Sequence, residues 1–409
     1  MGDARPVWRW SWGSLAVAVA VLAGSAWPDR GRAESWCADP LYVHEWGVHT
    51  FGPQAGARSG GPSLPPYFHA RAGQASATGP AVRALPPDNG IRELPVVHFY
   101  AGRNWRPVPL GLEVGFAHGR ATRWYPQVDA VSPVDAANGQ AAARERSGLL
   151  TARGARQPMG GGALRPLGRD PTRQLHWDAL TLDAQPQHPR VATPVAWVDR
   201  LRGFDSALWV NGAHESERFV FYDGQTSETP AISVSHGPSY RADHRHLILR
   251  NTSGDDVHDV FFVHREGDRR FVFVAPSIPA GRTAGFVIEE HAVPGAGWTA
   301  ATRDALRARL VDSAQPAPPT ETRWNPCTMM RDPAIPTEAA TDHRLYAHEV
   351  DAILELWGAR LFDATGTTIV YRESTAALDR EMPISLYTDM FHSIELRRLG
   401  LAIVEGVTP

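Results

Sequence analysis

The sequence predicts a mainly β protein: antiparallel β-sandwich-like domains followed by a C-terminal α+β segment with one long amphipathic helix. Strand-like runs recur at intervals of roughly 8–15 residues, as in antiparallel sandwiches. Stretches rich in Gly, Asn, Asp and Ser separate these runs and favour turns. Only one long run places its apolar residues at helical spacing. The chain is 43% hydrophobic, which is typical of a globular protein.

The first 33 residues resemble an export signal. Arg5 and Arg9 precede a twelve-residue apolar run at 15–26, which closes on Gly24-Ser25-Ala26. A membrane-spanning helix needs ~20 apolar residues, and the sequence Trp27-Pro28-Asp29-Arg30 ends this run too early. We therefore expect cleavage after Ala26 or after residue 33, and a secreted or periplasmic chain without a transmembrane segment.

The two cysteines of the chain are Cys37 and Cys327. Thiols in an oxidising compartment usually pair, so the sequence predicts a disulfide between them. Closing so long a loop could stabilise the fold by roughly 5 kcal/mol in the chain-entropy description. A reactive cysteine is the alternative, and it would need a nearby histidine and a third orienting group.

The composition excludes several classes of function. All 41 basic residues are arginine, so a phosphate-binding loop with its lysine and a pyridoxal phosphate Schiff base are impossible. We expect no nucleotide site. The formal net charge of −3 gives no reason to expect a nucleic-acid partner. The Gly-x-Ser-x-Gly sequence of hydrolase nucleophiles does not occur either.

The elements fall into three predicted domains after the signal at 1–33. The first, 34–195, has β-strands and long loops rich in Gly, Pro and Ala, notably 52–89 and 132–170. The second, 196–295, is an antiparallel sandwich, and the third is the α+β segment 296–409. A hairpin is predicted around the turn Ala117-His118-Gly119. The predicted strands are 42–51, 95–100, 109–116, 120–125, 175–182, 207–210, 218–222, 247–251, 257–265, 270–275, 282–289, 367–371, 384–387 and 394–404.

Helical periodicity is strongest after residue 341. Thr341 is a suitable N-cap. The apolar stripe that follows must pack against the rest of the fold, and it consists of Tyr346, Val350, Ile353, Leu354, Trp357 and Leu361. A shorter helix is predicted over 300–310, and His348 beside the stripe is expected to pack rather than to bind a ligand.

Several segments resemble an uncharacterised family of exported bacterial proteins, which carries His-Glu-Trp-Gly-Thr-Phe-Thr just after the signal peptide. The matching stretch here is Val43-His44-Glu45-Trp46-Gly47-Val48-His49-Thr50. Further similar stretches are Leu94 to Tyr100, Trp124-Tyr125-Pro126, Glu217 to Tyr222 and the helix from Leu345. His49 and His98 depart from the family pattern, which tends to have tyrosine at position 98. The resemblance implies no established activity.

The segment His44-Glu45-Trp46 is the first candidate site. On a strand, Glu45 and His49 share one face, where a carboxylate and an imidazole can bind a divalent metal or exchange protons, with Glu45 as the catalytic residue. His44 could bind a metal ion, and His44 with Trp46 could bind a ligand. The zinc-protease sequence His-Glu-x-x-His is not matched. In the alternative, Trp46 fills the core and the two polar residues hydrogen-bond to loops.

The second candidate is a metal site at His244 and His246. Alternate histidines on a strand share a face and supply two nitrogen ligands, with His236, His258 or His264 as a third. In the alternative, Leu247 and Leu249 form the buried face and both histidines face solvent.

These observations favour an exported binding or envelope-associated protein with a polysaccharide or protein partner. A metal-dependent hydrolase using His, Glu and Asp ligands is one alternative, for which a divalent metal is the expected cofactor. A carbohydrate-binding module built on some of the 14 tryptophans is another.

Overall fold

The computed structural model describes residues 41–52, 64–70, 90–101, 107–129, 173–238, 244–293, 298–316, 339–388 and 394–407. The predicted export signal, Cys37, Cys327, the loop 132–170 and most of the loop 52–89 lie outside the described residues. The disulfide therefore stays a prediction.

The described residues form strands in the order that the sequence pattern predicts, with a few additional elements. The strands are β1 Leu41–Phe51, β2 His69–Ala70, β3 Gly90–Tyr100, β4 Val108–Gly115, β5 Gly119–Tyr125, β6 Gln174–Asp183, β7 Trp209–Asn211, β8 Ser216–Glu217, β9 Val220–Thr226, β10 Ile232–His236, β11 His246–Asn251, β12 Val257–Glu266, β13 Arg269–Ile278, β14 Thr283–Val287, β15 Gly366–Arg372, β16 Ile384–Thr388 and β17 Ile394–Glu405. The α-helices are α1 Ala196–Arg202, α2 Trp298–Leu310, α3 Ala347–Gly358 and α4 Thr375–Glu381. A 3-10 turn, Ile288–His291, follows β14, and a π turn, Ala359–Asp363, extends α3.

A nine-stranded sheet forms the centre of the fold, with strand order β13-β12-β15-β17-β1-β3-β9-β5-β2. Its pairs are antiparallel except for β1 and β17, which run parallel over their whole length. Two antiparallel sheets accompany it, β16-β4-β6-β7-β8 and β10-β11-β14. The fold is therefore mainly β, as predicted.

Alternating side chains give both faces of the central sheet an apolar surface. On one face, Trp46, Phe221 and Leu401 pack with the buried stripes of α1, α2 and α3. On the other face, the half around Val97 packs on the five-stranded sheet, and the half around Phe262 packs on the three-stranded sheet. The result is three layers, with α1, α2 and α3 on one side of the central sheet and the two smaller sheets on the other, where α4 also lies with its Leu378 against Gly400.

All three predicted domain segments contribute strands to the central sheet. Segment 34–195 supplies β1, β2, β3 and β5, segment 196–295 supplies β9, β12 and β13, and segment 296–409 supplies β15 and β17. Backbone hydrogen bonds therefore cross the boundaries at residues 195 and 295.

Two local predictions are wrong. The strands β4 and β5 flank the predicted turn but do not form a hairpin, because β4 pairs with β6 and β16 while β5 pairs with β9 and β2. Thr341 does not cap a helix, since its hydroxyl donates to the carbonyl of Leu396 at 3.0 Å. Helix α3 begins later, where the Glu349 carboxylate accepts the Tyr346 backbone N–H at 3.0 Å.

The helix predicted over 300–310 is confirmed as α2.

None of the helices in the described ranges is both long enough and apolar enough to span a membrane.

Candidate metal centre

Strand β1 separates the residues of the first candidate site onto two faces of the central sheet. His44 and Trp46 face the helices, where Trp46 is fully buried in the apolar cluster formed with α1 to α3. Glu45 and His49 lie on the opposite face, toward the two smaller sheets, because side chains alternate along a strand. The segment therefore contributes polar groups to both faces of the central sheet.

The cluster on the helix side is built around Glu349 of α3. Its Oε2 accepts the Nδ1–H of His44 at 2.7 Å, and its Oε1 lies 3.6 Å from Nδ1 of His98. His44 and His98 are directly opposite each other on β1 and β3, and all three side chains are fully buried. Trp46 stacks on His98 with an interplanar angle of 18°. This cluster joins α3 to the centre of the sheet.

Burial and neighbouring charges shift the pKa values of this cluster in opposite directions. Burial lowers the pKa of the His98 imidazole to about 3, because a charged ring would lose its hydration, and the nearby Glu349 only partly opposes this. Burial would raise the pKa of Glu349, but the facing His44, His98 and His348 hold it at about 2. Glu349 is thus ionised and His98 neutral at pH 7.

Glu45, the predicted catalytic residue, is held by two buried partners. Its Oε1 accepts the Tyr222 hydroxyl and its Oε2 accepts Nε–H of Arg398. Arg398 also donates to Asp379 Oδ1 at 3.0 Å. The carboxylate is 3% exposed, and both of its oxygens are occupied. Its geometry is that of a charge-compensated structural group rather than of a free base.

His49 faces two carboxylates that the sequence pattern did not nominate. Its Nδ1 lies 3.2 Å from Glu228 Oε2 and 3.5 Å from Glu373 Oε1. Glu228 follows β9, and Glu373 lies between β15 and α4, so three separate parts of the chain meet here. The three ligand-capable atoms all lie within 4.8 Å of one another.

Both ring nitrogens of His49 have polar partners. Its Nε2 lies 3.2 Å from the Thr226 hydroxyl, which lies 3.3 Å from the carbonyl oxygen of Gly90. A carbonyl can only accept, so the Thr226 hydroxyl donates to Gly90 and accepts the Nε2–H of His49. Nδ1 therefore contacts two anionic oxygens either through a shared proton, as in a histidine–carboxylate pair, or through a cation bound between them.

Two of the three spacings in this group are close to those of a tetrahedral coordination shell. Bonds of ~2.0–2.2 Å in tetrahedral geometry place ligand atoms ~3.3–3.6 Å apart. The two distances from Nδ1 are 3.2 and 3.5 Å. Gly90 permits this placement, because a Cβ there would lie only 2.1 Å from Nε2 of His49.

Arg92 contacts both carboxylates of this centre. Its Nη2 donates to Glu228 Oε2 at 2.7 Å and to Glu373 Oε1 at 3.0 Å, while Nη1 donates to Glu373 Oε2. Burial would raise the pKa of Glu373, but Arg92 and His49 hold it at about 2. The two glutamates raise the pKa of Arg92 above its usual range, although burial opposes this. Arg92 therefore remains a cation at this centre.

A small recess adjoins Arg92, with Gly47 and Gly400 at its floor and Glu45 and Met382 among its walls. The two glycines are partners in the parallel β1–β17 pair. The recess has room for roughly one water molecule.

His244 and His246 do not form part of a three-ligand group among the described residues. His246 begins β11, and its Nδ1–H donates to the Pro238 carbonyl at 3.1 Å. The possible third ligands are dispersed, because His236 lies on β10 whereas His258 and His264 lie on β12 of the central sheet. His264 is bound to Thr367 Oγ1 at 2.8 Å.

No protein-family model matches the chain, and no curated protein matches it. Among solved structures, the chain is similar to the yeast delta-COP-I mu-homology domain complexed with a Dsl1 WxWxV peptide. That similarity has 9% identity and a TM-score of 0.27, and it covers 90% of this chain and 95% of the other. A similarity of this size indicates nothing about ligand or partner, so the centre is interpreted from its own geometry.

Proposed function

We propose that this protein is an exported metal-binding protein that holds a divalent cation of the zinc class at His49, Glu228 and Glu373. One observation carries the proposal. The Nδ1 atom of His49 faces two carboxylate oxygens at 3.2 and 3.5 Å, while its Nε2 is committed to Thr226.

The charge of the centre also favours a divalent cation. Glu228 and Glu373 contribute two negative charges, and Arg92 neutralises one of them. A neutral imidazole with two carboxylates is a donor set suited to zinc and to neighbouring transition metals such as manganese or iron. Glu228 and Glu373 are 12% and 13% exposed, so the centre lies near the surface of the described part of the protein.

The geometry of the centre favours metal binding over metal-dependent hydrolysis as its function. A metal-dependent hydrolase needs an open coordination position and space for the substrate beside it. The recess that the described residues form next to Arg92 has room for roughly one water molecule, and its lining does not include His49, Glu228 or Glu373. The Glu45 carboxylate, which would be the general base, is already bound to Tyr222 and Arg398.

The tryptophans give no support to a carbohydrate-binding surface. A sugar platform needs exposed aromatic faces. The tryptophan side chains that the structure describes are all 5% exposed or less, and they belong to Trp46, Trp124, Trp177, Trp197, Trp209 and Trp357.

The test is metal analysis on the untagged chain, purified from an oxidising compartment without chelator, followed by Zn²⁺ titration calorimetry. We expect about one zinc ion per chain, and at least a tenfold weaker affinity in Glu373→Gln, because the variant loses a charged ligand. Glu113→Gln is the matched control, since Glu113 is also buried, with its Oε1 3.4 Å from His176. Absence of Zn²⁺ binding in the wild type, or equal losses in both variants, would reject the proposal.

A further inference from the structure

We propose that Arg92 is an internal counter-cation that competes with the metal ion for Glu228 and Glu373, and so keeps the site weak and reversible. The inference rests on the proposed function of the same centre. It assigns a regulatory role to a residue that is not itself a metal ligand.

The competition follows from shared atoms. Nδ1 of His49 faces Glu228 Oε2 and Glu373 Oε1. The same two oxygens accept the Nη2–H groups of Arg92 at 2.7 and 3.0 Å. One guanidinium nitrogen therefore lies against the very pair of oxygens that would complete the metal site.

Arg92 cannot move away from the metal ion without a cost. The side chain is 3% exposed, and its position on β3 next to β1 fixes the direction from which it reaches the centre. Each carboxylate oxygen has two lone-pair positions, so the guanidinium and the metal can share an oxygen. The guanidinium then remains a few ångströms from a divalent ion, and repulsion between like charges at low dielectric weakens metal binding.

The same contacts explain how the chain can fold without metal. Two buried carboxylates facing each other would repel unless a cation lies between them. Arg92 supplies that cation in the metal-free state, and its Nη1 bond to Glu373 Oε2 orients the carboxylate. The centre thus has two stable states, one neutralised by Arg92 alone and one by Arg92 together with the metal.

The test compares Zn²⁺ affinity by titration calorimetry in full-length wild type, Arg92→Gln, Arg92→Met and Arg92→Lys. We expect Zn²⁺ to bind at least about tenfold more tightly to the Gln and Met variants, because the repulsive charge is removed. Arg92→Lys retains the charge but not the guanidinium fork, so its Zn²⁺ affinity should lie closer to the wild-type value than the affinities of the Gln and Met variants do. Arg360→Gln is the matched control, since Arg360 is a buried arginine bound to Glu405 from the helix side of the sheet.

The outcomes separate this inference from the proposed function. Wild-type binding with no tightening in the Gln and Met variants would overturn the role of Arg92 alone. Zn²⁺ binding by the variants but not by the wild type would support the competition and reject metal binding by the natural chain. If neither binds, both proposals fail.

The variants remain informative if they are unfolded without metal. Folding on addition of Zn²⁺, followed by circular dichroism, would support the inference, because the metal would replace the missing cation. Variants that stay unfolded at saturating Zn²⁺ would overturn it.

Discussion

Replacement of His98 by glutamine should reduce the acid sensitivity of the fold. His98 on β3 is fully buried between the central sheet and the helices, and burial lowers its pKa from 6.5 to about 3. In the unfolded chain the ring takes up a proton below pH 6.5, whereas in the folded chain it stays neutral until about pH 3. The unfolded state therefore binds more protons in this window, and stability falls as the pH falls.

The expected loss of stability follows from the size of the shift in the pKa of His98. One pKa unit corresponds to about 1.4 kcal/mol, so acidification from pH 7.5 to pH 5 should cost about 2 kcal/mol through His98 alone. The full shift, reached near pH 3, corresponds to about 5 kcal/mol. Glutamine does not titrate. Between pH 7.5 and pH 5, the free energy of unfolding of the variant should therefore fall by about 2 kcal/mol less than that of the wild type.

Urea unfolding at pH 7.5, 6 and 5 measures this difference. The readout is the change in the free energy of unfolding with pH, and this change is compared between wild type and variant. The contributions of the other buried histidines are present in both proteins and cancel in the comparison. His214→Gln replaces an exposed histidine and serves as the control, which should keep the wild-type pH dependence. Parallel curves for wild type and His98→Gln would refute the reasoning.

Two further substitutions test a close contact at the candidate metal centre and a buried ion pair elsewhere in the fold. Gly90→Ala places a Cβ 2.1 Å from Nε2 of His49, so we expect a loss of about 1–3 kcal/mol and at least tenfold weaker Zn²⁺ binding. Gly254→Ala has no atom within 4 Å of the added Cβ, and equal effects in both would contradict this explanation. Arg202→Met leaves the fully buried Glu217 carboxylate without its bidentate partner. We expect a loss of about 3–5 kcal/mol in urea unfolding, and a loss below 1 kcal/mol would show that this pair does not stabilise the fold.

The sequence was most informative where a single segment determines its own structure. Alternation in β1 was enough to predict that Glu45 and His49 share a face. The stripe of α3 predicted the helix, but Thr341 was a plausible cap only in sequence, because its hydroxyl binds β17 instead. Strand β10 was missed because only Ile232 among its residues is buried, which leaves little apolar alternation.

The proposed metal ligands Glu228 and Glu373 could not be predicted for a different reason. In the central sheet β1 is flanked by β17 and β3, and these are flanked in turn by β15 and β9. Glu228 follows β9 and Glu373 follows β15, so both approach His49 of β1 only once these five strands are assembled. His49 and Glu373 are separated by 324 residues. No spacing rule relates positions so far apart, and the 42 other acidic residues are equally eligible by sequence. Their common signal is position, since both glutamates come within two residues of a strand end.

The parallel pairing of β1 with β17 also dictates when the fold can be completed. The strand nearest the N-terminus of the described chain acquires one of its two neighbours only after residues 394–405 have been synthesised. Contacts of such long sequence separation close late and slowly, because the loop-closure entropy is lost before the contacts are gained. A chain still emerging from the ribosome therefore lacks the middle of its central sheet until its last described strand has been made.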